Sequence, residues 1–265
     1  MMLGKFARQG AARFAWFVVS RRALAPVNKA LFRLATAGLG LGVSEKNQPD
    51  ERLLLRRLRK VLSKSPVVID IGANCGQYAR MVQEELHEAR IISFEPHPAA
   101  YAQLSSVPGI EAINMAVGVE PGRVQLFDYL DSPGSEHASV LPSVFSEIHH
   151  GAVATLEVEC TTLDAFLDAG QIERVDLLKI DVEGFELAVL KGARRAIAGG
   201  RIGMVQFEFN SMNTISRTFL SDFAMELQGY RLHRLLRSGE LLCISDEPPI
   251  RRELFGYQNI VAMRN

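Results

Sequence analysis

Apolar positions along this chain change their period near Pro66. Before it, Leu24, Val27, Leu31 and Leu34 recur at helical spacing with Lys29 and Arg33 between them. Gly38, Gly40 and Gly42 break that pattern. A second helical stretch over 49–62 carries Leu53, Leu54, Leu58, Val61 and Leu62 on one side. After Pro66, short continuous apolar runs take over, at 67–71, 90–94, 111–114, 175–180 and 204–209. Helical stretches at 77–88, 98–105 and 185–197 separate most of them. Continuous runs predict strands buried on both faces, so this alternation predicts an α/β fold with a doubly wound, mainly parallel sheet. The segment 123–160 interrupts the rhythm and predicts an insertion at the ligand-facing edge, where loops shape a substrate pocket. Runs at 230–236, 241–245 and 258–263 predict a closing antiparallel unit. The chain divides into a basic helical extension over 1–48 and a main domain over 49–265.

Charge sharpens that division. The chain of 265 residues carries 30 Lys/Arg and 30 Asp/Glu, but its first 64 residues hold 14 bases against Glu45, Asp50 and Glu51. The other 201 residues therefore hold 16 bases against 27 acids. An acidic main domain has no basic face for phosphates, which excludes a nucleic-acid partner for it. The extension, with seven Lys/Arg and no acid before Glu45, suits peripheral contact with an anionic membrane through residues 1–45, Phe14, Trp16, Phe17, Leu24 and Leu31 inserting. A helix packed on the domain is the alternative. The apolar run over 14–19 is bracketed by Arg13 and Arg21-Arg22, too short for a span of about 20 residues. Cys75, Cys160 and Cys243 lie far apart and form no zinc pattern. A reducing, cytoplasmic compartment fits, at the inner membrane face if the extension binds there.

The first strand-like run continues as Val67-Val-Ile-Asp-Ile-Gly-Ala-Asn-Cys-Gly-Gln-Tyr78. Gly72 and Gly76 permit a tight turn into a helix and a close approach of backbone to ligand. Glu95 follows the second run, where an acid can accept both ribose hydroxyl hydrogens. Gly72-Ala-Asn-Cys-Gly76 does not match GxGxxG, and Asp70 suits a cationic amino group better than a pyrophosphate. This favours an amino-acid-bearing nucleotide cofactor over NAD. A nicotinamide-dependent oxidoreductase is the rival enzyme class, disfavoured also by the lack of a suitable Tyr-x-x-x-Lys pair. A scaffold that keeps the fold without catalysis is the rival of another kind.

Four motifs in order carry a family resemblance. They are 68–78, Phe94-Glu-Pro-His-Pro98, Asn114-Met-Ala-Val-Gly118, and Asp176-Leu-Leu-Lys-Ile-Asp-Val-Glu-Gly-Phe-Glu186 with Val189-Leu-Lys-Gly-Ala193. Together they resemble the FkbM-type methyltransferases from about Val67 onward. The resemblance implies a class I, Rossmann-like methyltransferase fold with a seven-stranded sheet and S-adenosylmethionine at its strand ends. It also implies O-methylation of a small-molecule or glycan acceptor, a sugar hydroxyl or a polyketide-type product. Carried over, Asp70, Gly72, Ala73, Asn74 and Gly76 hold the methionine part, Glu95 the ribose, and Asn114 and Ala116 lie near the adenine.

Candidates for accepting the hydroxyl proton are Asp181, Glu183 and Glu208, with His137, His149 and His150 behind them. Asp181 and Glu183 are two apart, so an extended backbone projects them to one side. Mutual repulsion then raises at least one pKa into a useful range. A divalent cation held by these oxygens is the alternative, and the metal-free reading is preferred. For Glu208 the competing role is a salt bridge, with Lys179 the nearest candidate.

Overall fold

The computed structural model describes residues 17, 19–42, 49–131, 133–135, 138–144 and 152–265. Its strands are β1 (Val67–Ile71), β2 (Arg90–Phe94), β3 (Ile110–Ile113), β4 (Ala116–Val117), β5 (Gly122–Tyr129), β6 (Val153–Thr161), β7 (Leu177–Ile180), β8 (Met204–Phe209), β9 (Tyr230–Leu235), β10 (Leu241–Cys243) and β11 (Gln258–Arg264). The main sheet runs β10-β9-β11-β8-β7-β1-β2-β3. From β3 to β8 all neighbours pair in parallel, and β11, β9 and β10 close the edge antiparallel. The order reverses between β1 and β7, the position where open α/β sheets form ligand crevices.

This is the expected doubly wound architecture with two corrections. The sheet has eight strands rather than seven, because Leu241–Cys243 folds back on β9 as a hairpin. A second correction concerns the helix expected over 185–197. It is two helices, Glu186–Lys191 and Arg194–Ala198, broken where Gly192 meets the backbone of Gly118. A Cβ on Gly192 would lie 2.0 Å from the Gly118 carbonyl oxygen. The expected insertion folds as part of a separate three-stranded sheet in the order β4-β6-β5. Helices Leu163–Ala169 and Leu220–Glu226 carry weak periodicity and were not expected.

Alternation along the strands sorts two faces. Ile69, Ile71, Ile92, Phe94, Leu178, Ile180, Phe207 and Phe209 point one way, into a core completed by Leu163, Leu167, Val189, Leu190, Leu220 and Phe223. Phe207 stacks on Phe223 with ring centroids 4.6 Å apart. On the other face Val68, Ile91, Leu177, Met204 and Val261 pack against Leu54, Leu55 and Leu58 and against Tyr78, Ala79 and Val82. Helix Pro49–Leu58 is thus part of the main core. Arg52 and Arg56 further tie it to Glu85 of helix Gln77–Glu85.

Helix Ala25–Gly38 behaves differently, for none of its residues is buried. Among the described residues no helix is long and apolar enough to cross a membrane.

Leu55→Ala, which empties a fully buried position on the second face, is expected to cost about 2–5 kcal/mol of unfolding free energy, read by urea denaturation. A loss below about 1 kcal/mol would mean that this helix is peripheral to the core.

Candidate active site

The site begins where β1 ends. Gly72 adopts φ +83°, and the amides of Gly72 and Ala73 both donate to the Phe94 carbonyl at 3.0 Å. A Cβ at Gly72 would sit 1.8 Å from the Asp181 carbonyl oxygen. Only glycine lets β1 and β7 approach this closely at their ends. Asn74 is also left-handed, at φ +46°, and its amide donates to Glu95 Oε2 at 2.8 Å. The His97 amide donates to the other oxygen, Oε1, at 2.7 Å. Glu95 is thereby fixed at the tip of β2 with spare lone pairs on both oxygens. Asn114 locks the same corner, its side-chain amide donating to the carbonyls of Glu95 and Pro96 at 2.8 and 3.0 Å.

A cavity of about 570 Å³, counted out to its open mouth, lies over these strand ends. Ile71, Phe94, Met115, Ala116, Val117 and Phe185 give it apolar walls, and Glu95, Asp181 and Glu183 give it acids. The insertion covers one side through Leu126, Ser135, Ala138 and Val140. Asp128 organises that cover by accepting from the Gly134 and Ser135 amides at 2.6 and 3.1 Å and from the Ser135 hydroxyl at 2.5 Å. The Asn74 side chain donates to the Gly134 and Ser135 carbonyls, and the Ser139 hydroxyl donates to the Glu183 carbonyl at 2.9 Å. The cover is therefore stitched to both halves of the site.

Behind the cavity the second sheet face turns polar. Asp70, Lys179 and Gln206 are neighbours in register across β1, β7 and β8. Lys179, 2% exposed, lies 2.8 Å from Asp181 Oδ2 and 3.7 Å from Glu51 Oε1, with the Tyr78 ring 5.7 Å away. Burial works against this ammonium, but Asp181 and Glu51 outweigh it and hold its pKa well above the usual lysine value. Gln206 donates to Glu51 at 2.5 Å and accepts from the Tyr78 hydroxyl at 3.1 Å.

The expected residues divide accordingly. Gly72, Asn74, Glu95, Ala116, Asp181 and Glu183 meet around the cavity. Asp70 lies below it, 1% exposed, with Oδ2 lacking a hydrogen-bond partner. Ala73 and Gly76 shape the turn, and Asn114 braces the backbone rather than lining the cavity. Glu208 is buried one strand further on, where it accepts from the Tyr257 hydroxyl at 2.7 Å and from Asn210 at 3.3 Å. The ion pairs of Lys179 run to Asp181 and Glu51 instead, so the expected Lys179–Glu208 bridge is replaced by the tyrosine. Burial first, then Asp181, push the Glu208 carboxyl well above its ordinary range. Asp181 and Glu183 do not share an extended strand, since β7 ends at Ile180 and Glu183 turns left-handed at φ +52°. They still reach one cavity, through the turn. His137, His149 and His150 lie outside the described residues.

Sequence reasoning missed Glu51, Tyr257 and the covering Asp128. Glu51 and Tyr257 lie far from the motifs in sequence, and Asp128 stands in a strand whose partner begins at Val153.

The sequence profile of the FkbM methyltransferase domain matches residues 70–232. The chain belongs to this family. It is 29% identical over 162 residues to the methyltransferase sdnD of Sordaria araneosa, covering 49% of this chain and 61% of that protein. It is 28% identical over 150 residues to the hexuronic acid methyltransferase AglP of Haloferax volcanii, covering 56% and 58%. To the 2-O-methyltransferase NoeI of Sinorhizobium fredii it is 25% identical over 158 residues, covering 55% and 65%. The matches thus span about three-fifths of these relatives' own lengths.

In this FkbM-family chain the acid of the Asp-Val-Glu-Gly-Phe-Glu motif with the deepest burial is its last. Glu186 accepts from the Gly184 amide at 2.9 Å and the Val182 amide at 3.3 Å, and burial pushes its carboxyl up to about 7. Burial likewise pushes Glu51, Asp70 and Glu95 up to about 7. Each folded pKa exceeds the unfolded one, so the native state keeps protons that the unfolded chain releases between about 4.5 and 7. Stability from these groups is full at the acid end of that window and lost as pH rises through 7. Unfolding free energy is expected to fall between pH 5 and 8. Glu186→Gln, which retains an acceptor for both amides, is expected to remove on the order of 3 kcal/mol of that fall. An unchanged pH slope in the variant would assign the titration to other groups.

Proposed function

We propose that this protein is an S-adenosylmethionine-dependent methyltransferase that O-methylates a hydroxyl of a small-molecule or glycan acceptor. The observation that carries the reading is the cavity at the β1–β7 reversal, where Gly72, Glu95 and Asp181 converge. Its residues fit the cofactor. Gly72 lets β1 and β7 close up beneath the cavity, Glu95 keeps acceptor capacity for ribose hydroxyls on both oxygens, and Met115, Ala116 and Val117 offer an apolar slot for a base. Asn74 and the turn around it are assigned the amino-acid part, with Asp70 beneath them.

When bound, the cofactor supplies an electrophilic methyl whose departure leaves its electron pair on sulfur. The chain's own work is alignment and proton removal. Placing the acceptor oxygen in line supplies about 7–11 kcal/mol of the barrier in favourable cases. Asp181 is committed to Lys179, and the cavity-facing carboxylate assigned to take the hydroxyl proton is Glu183. Glu208, held by Tyr257 and Asn210 outside the cavity lining, is left without a direct part in the transfer. The names of AglP and NoeI, a hexuronic acid and a 2-O position, support a sugar hydroxyl as the acceptor class.

Glu95→Gln is expected to weaken S-adenosylhomocysteine binding by about 10–100-fold in calorimetry with the fold retained. Unchanged affinity would remove the ribose role. Glu183→Gln is expected to slow methyl transfer by about 10²–10⁴-fold, read as the mass gain of one methylene across glycan and natural-product pools. Activity lost to chelator and restored by magnesium would replace this scheme with a metal-assisted one. Cofactor binding without transfer to any pool would favour a scaffold.

A further inference from the structure

We infer that helix Ala25–Gly38 is a docking element for an anionic lipid surface. Val27, Leu31 and Leu34 fall at i, i+4 and i+7 and share one face, while Lys29 and Arg33 lie on the opposite side. Among the described residues this face lies open, with Val27 53%, Leu31 58% and Leu34 72% exposed. A helix of this length without packing is marginal in water, so its apolar stripe calls for a partner.

The helix is nonetheless rooted. Leu41 is buried at 3%, and the Gly42 amide donates to the Tyr257 carbonyl at 3.0 Å. The stripe is therefore presented from a fixed point on the domain, beside the residue that holds Glu208.

Charge decides among the occupants. Arg21 and Arg22 precede the helix, Lys29 and Arg33 occupy its other side, and residues 1–44 contain no acid. A second copy would cover the stripe but bring no acid to these bases, since residues 1–44 contain none. A nucleic acid would neutralise the bases but leave the leucines in water. An anionic leaflet satisfies both faces, taking the apolar stripe into the acyl boundary and the cations among headgroups.

The test is co-sedimentation of the full chain with vesicles of phosphatidylcholine alone or mixed with phosphatidylglycerol, alongside Leu31→Ser/Leu34→Ser and Lys29→Gln/Arg33→Gln. These positions are exposed, so circular dichroism of the core is expected to be unchanged. Binding is expected to the mixed vesicles, to weaken with added salt, and to drop by about tenfold or more in both variants. Failure of the full chain to sediment with mixed vesicles overturns the inference. So does equal binding to both vesicle types, or concentration-dependent dimerisation that the serine variant abolishes. None of these readouts depends on methylation.

Discussion

A buried ammonium holds the back of this site together. Lys179 has Asp181 at 2.8 Å and Glu51 at 3.7 Å, and its charge also acts on Asp70 and Glu208. Burial raises Glu51, Asp70 and Glu208 above their ordinary range, so one ammonium need not face four carboxylates, whose isolated buried charges would cost far more than a domain's net stability. Removing one partner of such a cluster is far more costly than never building it. Lys179 also joins regions distant in sequence, because Glu51 comes from the first core helix and Asp181 from the end of β7. The position of Asp181 in the cavity is thus a consequence of charge balance behind the sheet.

The same strands explain why this cluster sits where it does. On the second face, Val68, Leu177 and Met204 come early in β1, β7 and β8, and Asp70, Lys179 and Gln206 follow two positions later. Each strand is greasy at its start and polar at its end on one and the same side. The apolar half fastens the helices Pro49–Leu58 and Gln77–Glu85. The polar half, just past it, supports the ligand face without interrupting the core.

Much of this was legible in the residues. The buried strands are continuous apolar runs, so β1, β2 and β8 emerge with their observed bounds, and the glycine turn and Glu95 mark the cavity because local chemistry demands them. What was not legible depends on long-range placement. Nothing near Glu208 identifies Tyr257 as its partner, which arrives 49 residues later, just before the antiparallel β11. The extended spacing assumed for Asp181 and Glu183 failed because a left-handed residue is invisible in a short acidic motif. Gly192 gave a local signal, yet its reason, the Gly118 carbonyl, is tertiary.

Asn74 touches both the floor and the cover of the cavity. Its backbone amide supports Glu95, and its side chain holds the carbonyls of Gly134 and Ser135. A ligand leaning on Glu95 therefore rests on the same residue that holds the segment above it. Changing Asn74 removes a support from the floor and a tether from the cover at once, so one substitution there reaches both sides of the cavity.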